Sequence, residues 1–467
     1  MNTDSNRPGL IPGLAWLRRY PKEWLQPDVV AGLIAAAVVI PKAMAFATIA
    51  GLPVQVGLYT VFVPMVVYAL LGTSTPLSVS TTTTIAILAA ASLGEAVPNG
   101  GAADLAIAGA TLAILVGAML VLASLLRLGF VANFISEPVL AGFKSGIGLV
   151  IIVDQIPKLL GFHIEKTGFF RDIVAIVQHL PQTSLTALTL SLVMLVLMVG
   201  LERFMPRVPA PLVAVAVGIA ACGLLGLQHA GVETVGSIPR GLPTLVWPQL
   251  GLVAQMWPAA MGIALMSFTE SIAAARAFAK PGEPRAVPNQ ELLAVGMANV
   301  AGGFFGAMPA GGGTSQTAVN RIAGARSQMA GIVTAAAALA TLLLLAPLIS
   351  LMPNAVLAAV VVVYSVGLIR PGEFRDIARV RTKEFYWAVI AFAGVALLGT
   401  LKGIVVAVIA SLLALAYQAY NPPVYVLGRK RGTDVFRASS GCSSDNALNT
   451  SVPRLRPSTY SGGLYAW

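Results

Sequence analysis

Long apolar runs alternate with short polar breaks over most of the chain. A helix needs about 20 apolar residues to cross hydrocarbon, and fewer where it is broken. That rule predicts spans over 28–46, 56–72, 77–94, 104–126, 130–153, 185–201 and 209–228, then over 258–278, 289–306, 311–325, 328–350, 354–369, 384–400 and 402–420. The chain therefore reads as two groups of seven, fourteen segments in all. Two segments differ from the rest. The third starts Leu77-Ser78-Val79-Ser80 and runs into Thr81–Thr84, an alternating, β-branched stretch suited to an extended lead into a short helix. The tenth starts Pro309-Ala310-Gly311-Gly312-Gly313-Thr314-Ser315-Gln316, a second extended lead into a short helix. Broken segments at corresponding places in two halves point to the binding site of an inverted-repeat transporter.

Composition removes the other classes. Of 467 residues, 57% are hydrophobic and only 10% charged, with mean hydropathy +0.82. A soluble protein carries about a quarter charged residues. A soluble enzyme, a nucleic-acid binder and a disordered chain are excluded, and the lipid bilayer is the expected environment. The net charge of +11 is then a matter of loops. Even-numbered spans followed by cytoplasmic loops put Arg127, Arg203, Arg207, Arg276, Lys280, Arg285, Arg321, Arg326, Arg370, Arg375, Arg379, Arg381 and Lys383 inside. The outer loops hold Lys158, Lys166, Arg171, Arg240 and Lys402. That bias places both termini in the cytoplasm. Cys222 reads as a small buried hydrophobe and Cys442 lies in a polar tail, so neither a disulfide framework nor a metal site is indicated. The polar, proline-broken start carries no cleavable signal.

The motifs are those of a known family. Pro41-Lys42-Ala43-Met44-Ala45-Phe46-Ala47, Ala50-Gly51-Leu52-Pro53, Gly57-Leu58-Tyr59 and Tyr68 through Ser74 resemble the first-helix region of the SulP (solute carrier 26) anion transporters. So do Asn289-Gln290-Glu291-Leu292 with Ala294, Gly296 and Asn299, and Ser315 through Asn320 ahead of Gly324. The resemblance covers roughly residues 14 to 437. It implies an all-α polytopic membrane protein of fourteen segments in two inverted seven-segment repeats, the uracil-transporter type of fold. Helices 1–4 and 8–11 would form a core domain, and helices 5–7 and 12–14 a gate domain. It also implies a homodimer. An anion would sit between the facing N-termini of half-helices 3 and 10, where unpaired N–H groups and the positive dipole end favour negative charge. The expected substrate-binding residues are Lys42, Phe46, Ser80, Thr81, Thr82, Gly313, Thr314, Ser315 and Gln316.

Three positions depart from the pattern. Lys42 stands where the family often has Gln, Gln316 where it often has Arg, and Ser80-Thr81 where it often has Gly-Pro. The fixed cation then moves from helix 10 to helix 1. The family's cytoplasmic STAS domain is expected to be missing: Pro422 through Arg437 resembles its lead-in, and residues 438–467 read as a disordered polar tail. The resulting organisation is an N-terminal segment 1–27, a first repeat 28–228, an outer loop 229–257, a second repeat 258–420 and a tail 421–467.

Each candidate has a plainer reading. Glu270 in span eight is a carboxylate at membrane depth, costly and by default functional, and burial suits it to exchange a proton. It could instead pair with Arg276 or meet interfacial water. Lys42 lies fourteen residues after Asp28, about 20 Å of helical rise, too deep for easy snorkelling, so an anion or Glu270 is the better partner. Lys144 is balanced between roles, with a place near the inner surface and Glu137 as the default. The threonines can bond their own helix carbonyls, which leaves Thr81 and Thr82 as the better candidates. Gly311–Gly313 can be a flexible turn, and Gly117-Ala118 and Gly302-Gly303 helix-packing contacts. Arg370 to Lys383 reads as a solvated cytoplasmic loop able to touch anionic headgroups.

The sequence thus predicts a secondary active transporter in a prokaryotic plasma membrane. It would move a small anion of the sulfate, bicarbonate or dicarboxylate class by motion of core against gate, coupled through Glu270 to a proton, or to sodium in its place. No cofactor or metal is called for. The rivals are a passive channel or exchanger of the same fold and a nucleobase transporter. A membrane enzyme is the weakest reading, since His163, His179 and His229 fall in outer loops or at span ends.

Overall fold

The computed structural model describes residues 12–18, 20–98, 100–133, 137–164, 169–206, 208–228, 231–236, 238, 241–280, 283, 285–380, 382–420, 427–429 and 436–438. Each predicted span falls on a helix. The first seven are α1 (Leu25–Ile49), α2 (Val54–Leu71), α3 (Thr83–Ala96), α4 (Ala102–Leu125), α5 (Glu137–Leu160), α6 (Leu185–Phe204) and α7 (Ala210–Leu225). The second seven are α8 (Val253–Ala277), α9 (Pro288–Phe304), α10 (Thr314–Ile322), α11 (Met329–Leu344), α12 (Asn354–Val366), α13 (Thr382–Leu398) and α14 (Thr400–Tyr420). Among the described residues, seven stretches are long and apolar enough to cross a membrane by themselves, including Lys22–Ile49, Ala102–Leu125 and Leu250–Ala277. The nine-residue α10 is not one of them. Lys166, Arg207, His229, Arg240, Arg381, residues 422–426 and 430–435 of the expected lead-in, and the tail from 439 lie outside the described residues.

Prolines account for the boundaries that move. The fifth span begins at Glu137 rather than 130, after a 3-10 turn over Leu128–Asn133, because Pro138 is suited to a first helical turn. The eighth starts at Val253, ahead of 258: Pro258 removes one internal hydrogen bond without ending the helix. The eleventh stops at Leu344, and Ala346–Ile349, with Pro347 second, makes a separate turn. Two amphipathic helices, Phe169–His179 and Pro371–Val380, join spans.

The chain forms two compact units, Met1–Leu415 and Ala416–Trp467. In the second, a short antiparallel hairpin pairs Leu427–Arg429 with Phe436–Ala438. In the first, packing follows a two-fold relation between the repeats. Helix α4 lies on α9 and its counterpart α11 on α2; α1 lies on α11 and its counterpart α8 on α4; α5 lies on α13 and its counterpart α12 on α6. Small residues permit the tightest of these crossings. A Cβ on Gly117 of α4 would stand 2.6 Å from the Gly296 carbonyl of α9, and one on Gly296 would stand 3.0 Å from the Gly117 carbonyl. The outward side of α6 is apolar, with Leu185, Leu192, Val193, Val196 and Val199 exposed, as a lipid-facing surface requires.

Buried polar groups tie the helix ends. Glu291, fully buried at the start of α9, accepts from Tyr68 Oη at 2.7 Å, from the Thr73 amide at 2.8 Å and from Thr73 Oγ1 at 2.5 Å. Asp28 in α1 accepts from the amides of Arg326 (2.6 Å) and Ser327 (3.2 Å) ahead of α11, and from the hydroxyls of Ser327 (2.6 Å) and Tyr20 (2.9 Å). Burial, with the Asp28 carboxylate beside it, pushes the Tyr20 hydroxyl up to about 12. Between α8 and α10, Arg321 grips Glu283 with both terminal nitrogens, at 2.9 and 2.5 Å. Burial opposes the charged form of Glu283, but the Arg321 guanidinium and the Lys280 amide outweigh it and hold the carboxyl below its ordinary value.

Replacing Glu291 by Ala strands the Tyr68 and Thr73 donors and is expected to cost about 2 kcal/mol or more, read as a lower melting midpoint in detergent. Glu283 makes a pH prediction. Its depressed value means the Arg321 clamp stabilises the fold above the ordinary carboxylate range and is lost as pH falls through the depressed value. The melting difference between wild type and Glu283→Gln is therefore expected to be largest near neutrality and to vanish in acid.

Candidate functional site

The extended leads of the third and tenth segments meet and pair. Strand β1 (Val79–Ser80) runs antiparallel to β2 (Gly311–Gly312), with Val79 opposite Gly312 and Ser80 opposite Gly311. Glycine is needed because α8 passes close behind. A Cβ on Gly312 would stand 2.7 Å from the Ser271 Cα, and one on Gly311 would stand 2.8 Å from Ser267 Oγ. That helix also supplies partners for the strand backbone. Ser267 Oγ donates to the Ala310 carbonyl (2.7 Å) and Ser271 Oγ accepts from the Gly312 amide (2.8 Å). Asn299 of α9 takes both backbone groups of Ala310, accepting at 2.8 Å and donating at 2.9 Å.

Beyond the strands the two short helices begin. Thr82 caps α3, its hydroxyl accepting from the Ile85 amide at 3.3 Å. Gly313 caps α10 and has no side chain to offer, and Thr314 and Ser315 behind it are exposed. The first-turn N–H groups of a helix lack internal acceptors, so this end is electropositive. Gln316 joins the two helices: its Oε1 accepts from Ser80 Oγ at 2.7 Å, and its Nε2 donates to the Thr81 carbonyl at 3.1 Å. The Thr81 hydroxyl is buried with no hydrogen-bond partner. Phe46 is buried in the apolar core one turn beyond Lys42.

Lys42 and Glu270 complete the arrangement in related ways. Each is the eighteenth residue of a 25-residue helix, Lys42 in α1 and Glu270 in α8. Each side chain reaches the second residue of a half-helix. Lys42 Nζ donates to Ser315 Oγ of α10 at 3.2 Å. Glu270 Oε1 accepts from Thr84 Oγ1 of α3 at 3.0 Å, and its Oε2 accepts from Thr82 Oγ1 at 2.8 Å. Each also touches a helix of the α5–α7/α12–α14 set. Lys42 Nζ lies 3.9 Å from the centroid of the Tyr364 ring in α12. Glu270 Oε1 lies 3.5 Å from Lys144 Nζ in α5.

The structure thus brings together Lys42, Ser80, Thr81, Thr82, Gly313, Ser315, Gln316 and Glu270, with Thr314 exposed at the mouth of α10. It changes one pairing: among the described residues, the cation within ion-pair distance of Glu270 is Lys144, not Lys42. The Glu137 side chain offered as the Lys144 partner lies outside the described residues. Sequence reasoning missed Tyr364, which sits inside an apolar run, and left Thr84 in doubt. It also missed the strand-anchoring serines, although Ser267 and Ser271 stand one turn apart on the face that carries Glu270, a period readable in advance.

Residues 25–391 match the sulfate permease family. The chain belongs to that family. A sulfate permease is a transport protein rather than an enzyme, and this one is a multi-pass membrane protein. It is 36% identical over 423 residues to a probable sulfate transporter of Mycobacterium tuberculosis, covering 90% of this chain and 75% of the relative. It is 31% identical to human solute carrier family 26 member 6, over 91% of this chain and 60% of the relative. The fold matches the murine solute carrier 26 family member A9 anion transporter in its inward-facing state, with TM-score 0.83 and 26% identity over 94% of this chain and 77% of that one. It also matches the transmembrane domain of a cyanobacterial bicarbonate transporter, with TM-score 0.74 and 24% identity over 82% and 97%.

Overpacking the strand crossing tests its role. Gly312→Val is expected to destabilise the protein by about 1–3 kcal/mol, measured as a drop in melting midpoint. Gly94→Val, on an exposed face of α3 where a Cβ would meet nothing within 4 Å, is the matched control and is expected to change little.

Proposed function

We propose that this sulfate permease family member is a secondary active transporter of a small anion of the sulfate, bicarbonate or dicarboxylate class. The observation that carries the reading is the N-terminus of α10, capped only by Gly313, with Lys42 Nζ 3.2 Å from the exposed Ser315 hydroxyl. A helix end with free N–H groups beside a fixed cation favours an anion over a neutral ring. The relatives support it, being probable sulfate transporters and solute carrier 26 members. In this reading α1–α4 and α8–α11 form the core and α5–α7 and α12–α14 the gate. Motion of one against the other opens the site to each side in turn. Polar contacts between the two sets, among the described residues, include Lys42 with Tyr364, Glu270 with Lys144, and Lys158 Nζ with the Thr48 carbonyl at 3.2 Å, and these can be remade during such motion.

Glu270 is the proposed coupling group. It is buried at membrane depth and held by two hydroxyls and one cation, so a proton can replace the cation as its partner. The protein would work in a prokaryotic plasma membrane as a homodimer with both termini cytoplasmic, consistent with the basic inner loops.

Uptake of labelled sulfate, chloride, bicarbonate and fumarate into proteoliposomes, with and without an inward proton gradient at clamped voltage, tests the reading. Accumulation of one anion above equilibrium, only with the gradient, is expected. Equilibration without accumulation would overturn proton coupling and favour a channel. Glu270→Gln is expected to keep anion binding and lose pH-driven accumulation. Lys42→Gln is expected to raise the KM about tenfold, the loss of one charge-assisted hydrogen bond.

A further inference from the structure

We propose that Lys144 is a substrate-binding residue held in reserve by Glu270, whose carboxylate occupies the place beside α3 that the transported anion takes once Glu270 is protonated. The inference rests on the reading of Glu270 as the coupling group and deepens it by naming the cation that changes partners.

The two half-helices are related in position but not in charge. At α10 the N-terminus meets Lys42 and is left open to an anion. At α3 the N-terminus already faces an anion that belongs to the protein, the Glu270 carboxylate bonded to Thr82 and Thr84. The Lys144 side chain is 26% exposed and the Glu270 side chain 6%, so the ammonium is the more accessible member of the pair.

Charge then links proton and anion. With Glu270 ionised, Lys144 and Glu270 sum to zero. An anion entering this state sets two negative groups on one ammonium. A proton from water forms an O–H bond at Oε1, the oxygen shared by Thr84 and Lys144, and takes the carboxylate from −1 to zero. Lys144 is then an unpaired cation at membrane depth, which is costly. A monoanion on Lys144 returns the sum to zero, with Thr82 and Thr84 free to donate to it. Each ligand therefore favours the other, as reciprocal linkage requires.

Among the described residues, the other charged groups on neighbouring elements are placed or engaged elsewhere. Glu95 lies at the far end of α3 and Asp104 accepts from the Gly101 amide at the start of α4. On α9, Glu291 is held by Tyr68 and Thr73, and on α10, Arg321 is held by Glu283. On α5, Asp154 and Lys158 stand more than two turns past Lys144, and Lys42 of α1 is engaged at Ser315.

The test measures the KM for whichever of labelled sulfate, chloride, bicarbonate and fumarate the wild-type protein carries. It is done in proteoliposomes at an acidic pH and at an alkaline pH. Lys144→Gln is expected to raise the KM about tenfold at acidic pH and less than about twofold at alkaline pH, where the wild-type ammonium is already taken. Lys144→Arg is expected to restore the wild-type KM, which separates lost charge from lost fold. In a Glu270→Gln background, adding Lys144→Gln is expected to raise the KM about tenfold at both pH values. An equal effect of Lys144→Gln at both pH values in the wild-type background would mark a structural role and overturn the proposal, as would no effect in acid. PH-driven accumulation surviving in Glu270→Gln would instead overturn the coupling reading beneath it.

Discussion

Two helices in this protein begin part-way through the span, and their first N–H groups, together with the strands that precede them, have to be satisfied where no bulk water is assured. The rest of the architecture follows from that requirement. The β1–β2 crossing pairs part of the exposed backbone. Ser267, Ser271 and Asn299 pair more of it from α8 and α9. These partners can reach only because positions 311 and 312 lack a Cβ, which lets α8 pass against the strand. Thr82 caps α3, but α10 has no side-chain cap, and an electropositive helix end in a low-dielectric setting favours negative charge.

Symmetry explains the placement of the chemistry, and broken symmetry explains its direction. The repeats place one side chain of α1 and one of α8 at the same helical position, each over the start of a half-helix. In the proposed reading, a lysine at one and a glutamate at the other turn two equivalent seats into one open to a foreign anion and one filled by a carboxylate of the protein. Gln316, standing where the family often carries Arg, is consistent with this. Its neutral amide bridges Ser80 and the Thr81 carbonyl, so it joins the half-helices without adding charge.

Much of this was legible in the chain. The fourteen apolar runs and the two broken segments survive one-dimensional reading because each is a local property: hydrophobic length, or β-branched and glycine-rich stretches. Lys42 and Glu270 stood out for a similar reason, a charge inside an apolar run. Tyr364 did not, since an aromatic in an apolar helix is usual and its role depends on an ammonium more than three hundred residues away. Lys144 was noticed but given a neighbour on its own helix as partner, where the fold supplies a carboxylate from α8.

Hydrophobic length and the arrangement of charges by themselves determined a membrane protein with two related halves, and motif order determined its family. Partnership was decided by the tertiary structure alone. Ion pairs and hydrogen bonds form between residues that are distant in sequence, and their energies fall steeply over a few ångströms, so a shift of one helical turn exchanges one partner for another. Glu270 meets Lys144 instead of Lys42 because α5 and α8 bring those two turns together, a fact of packing that no local pattern encodes.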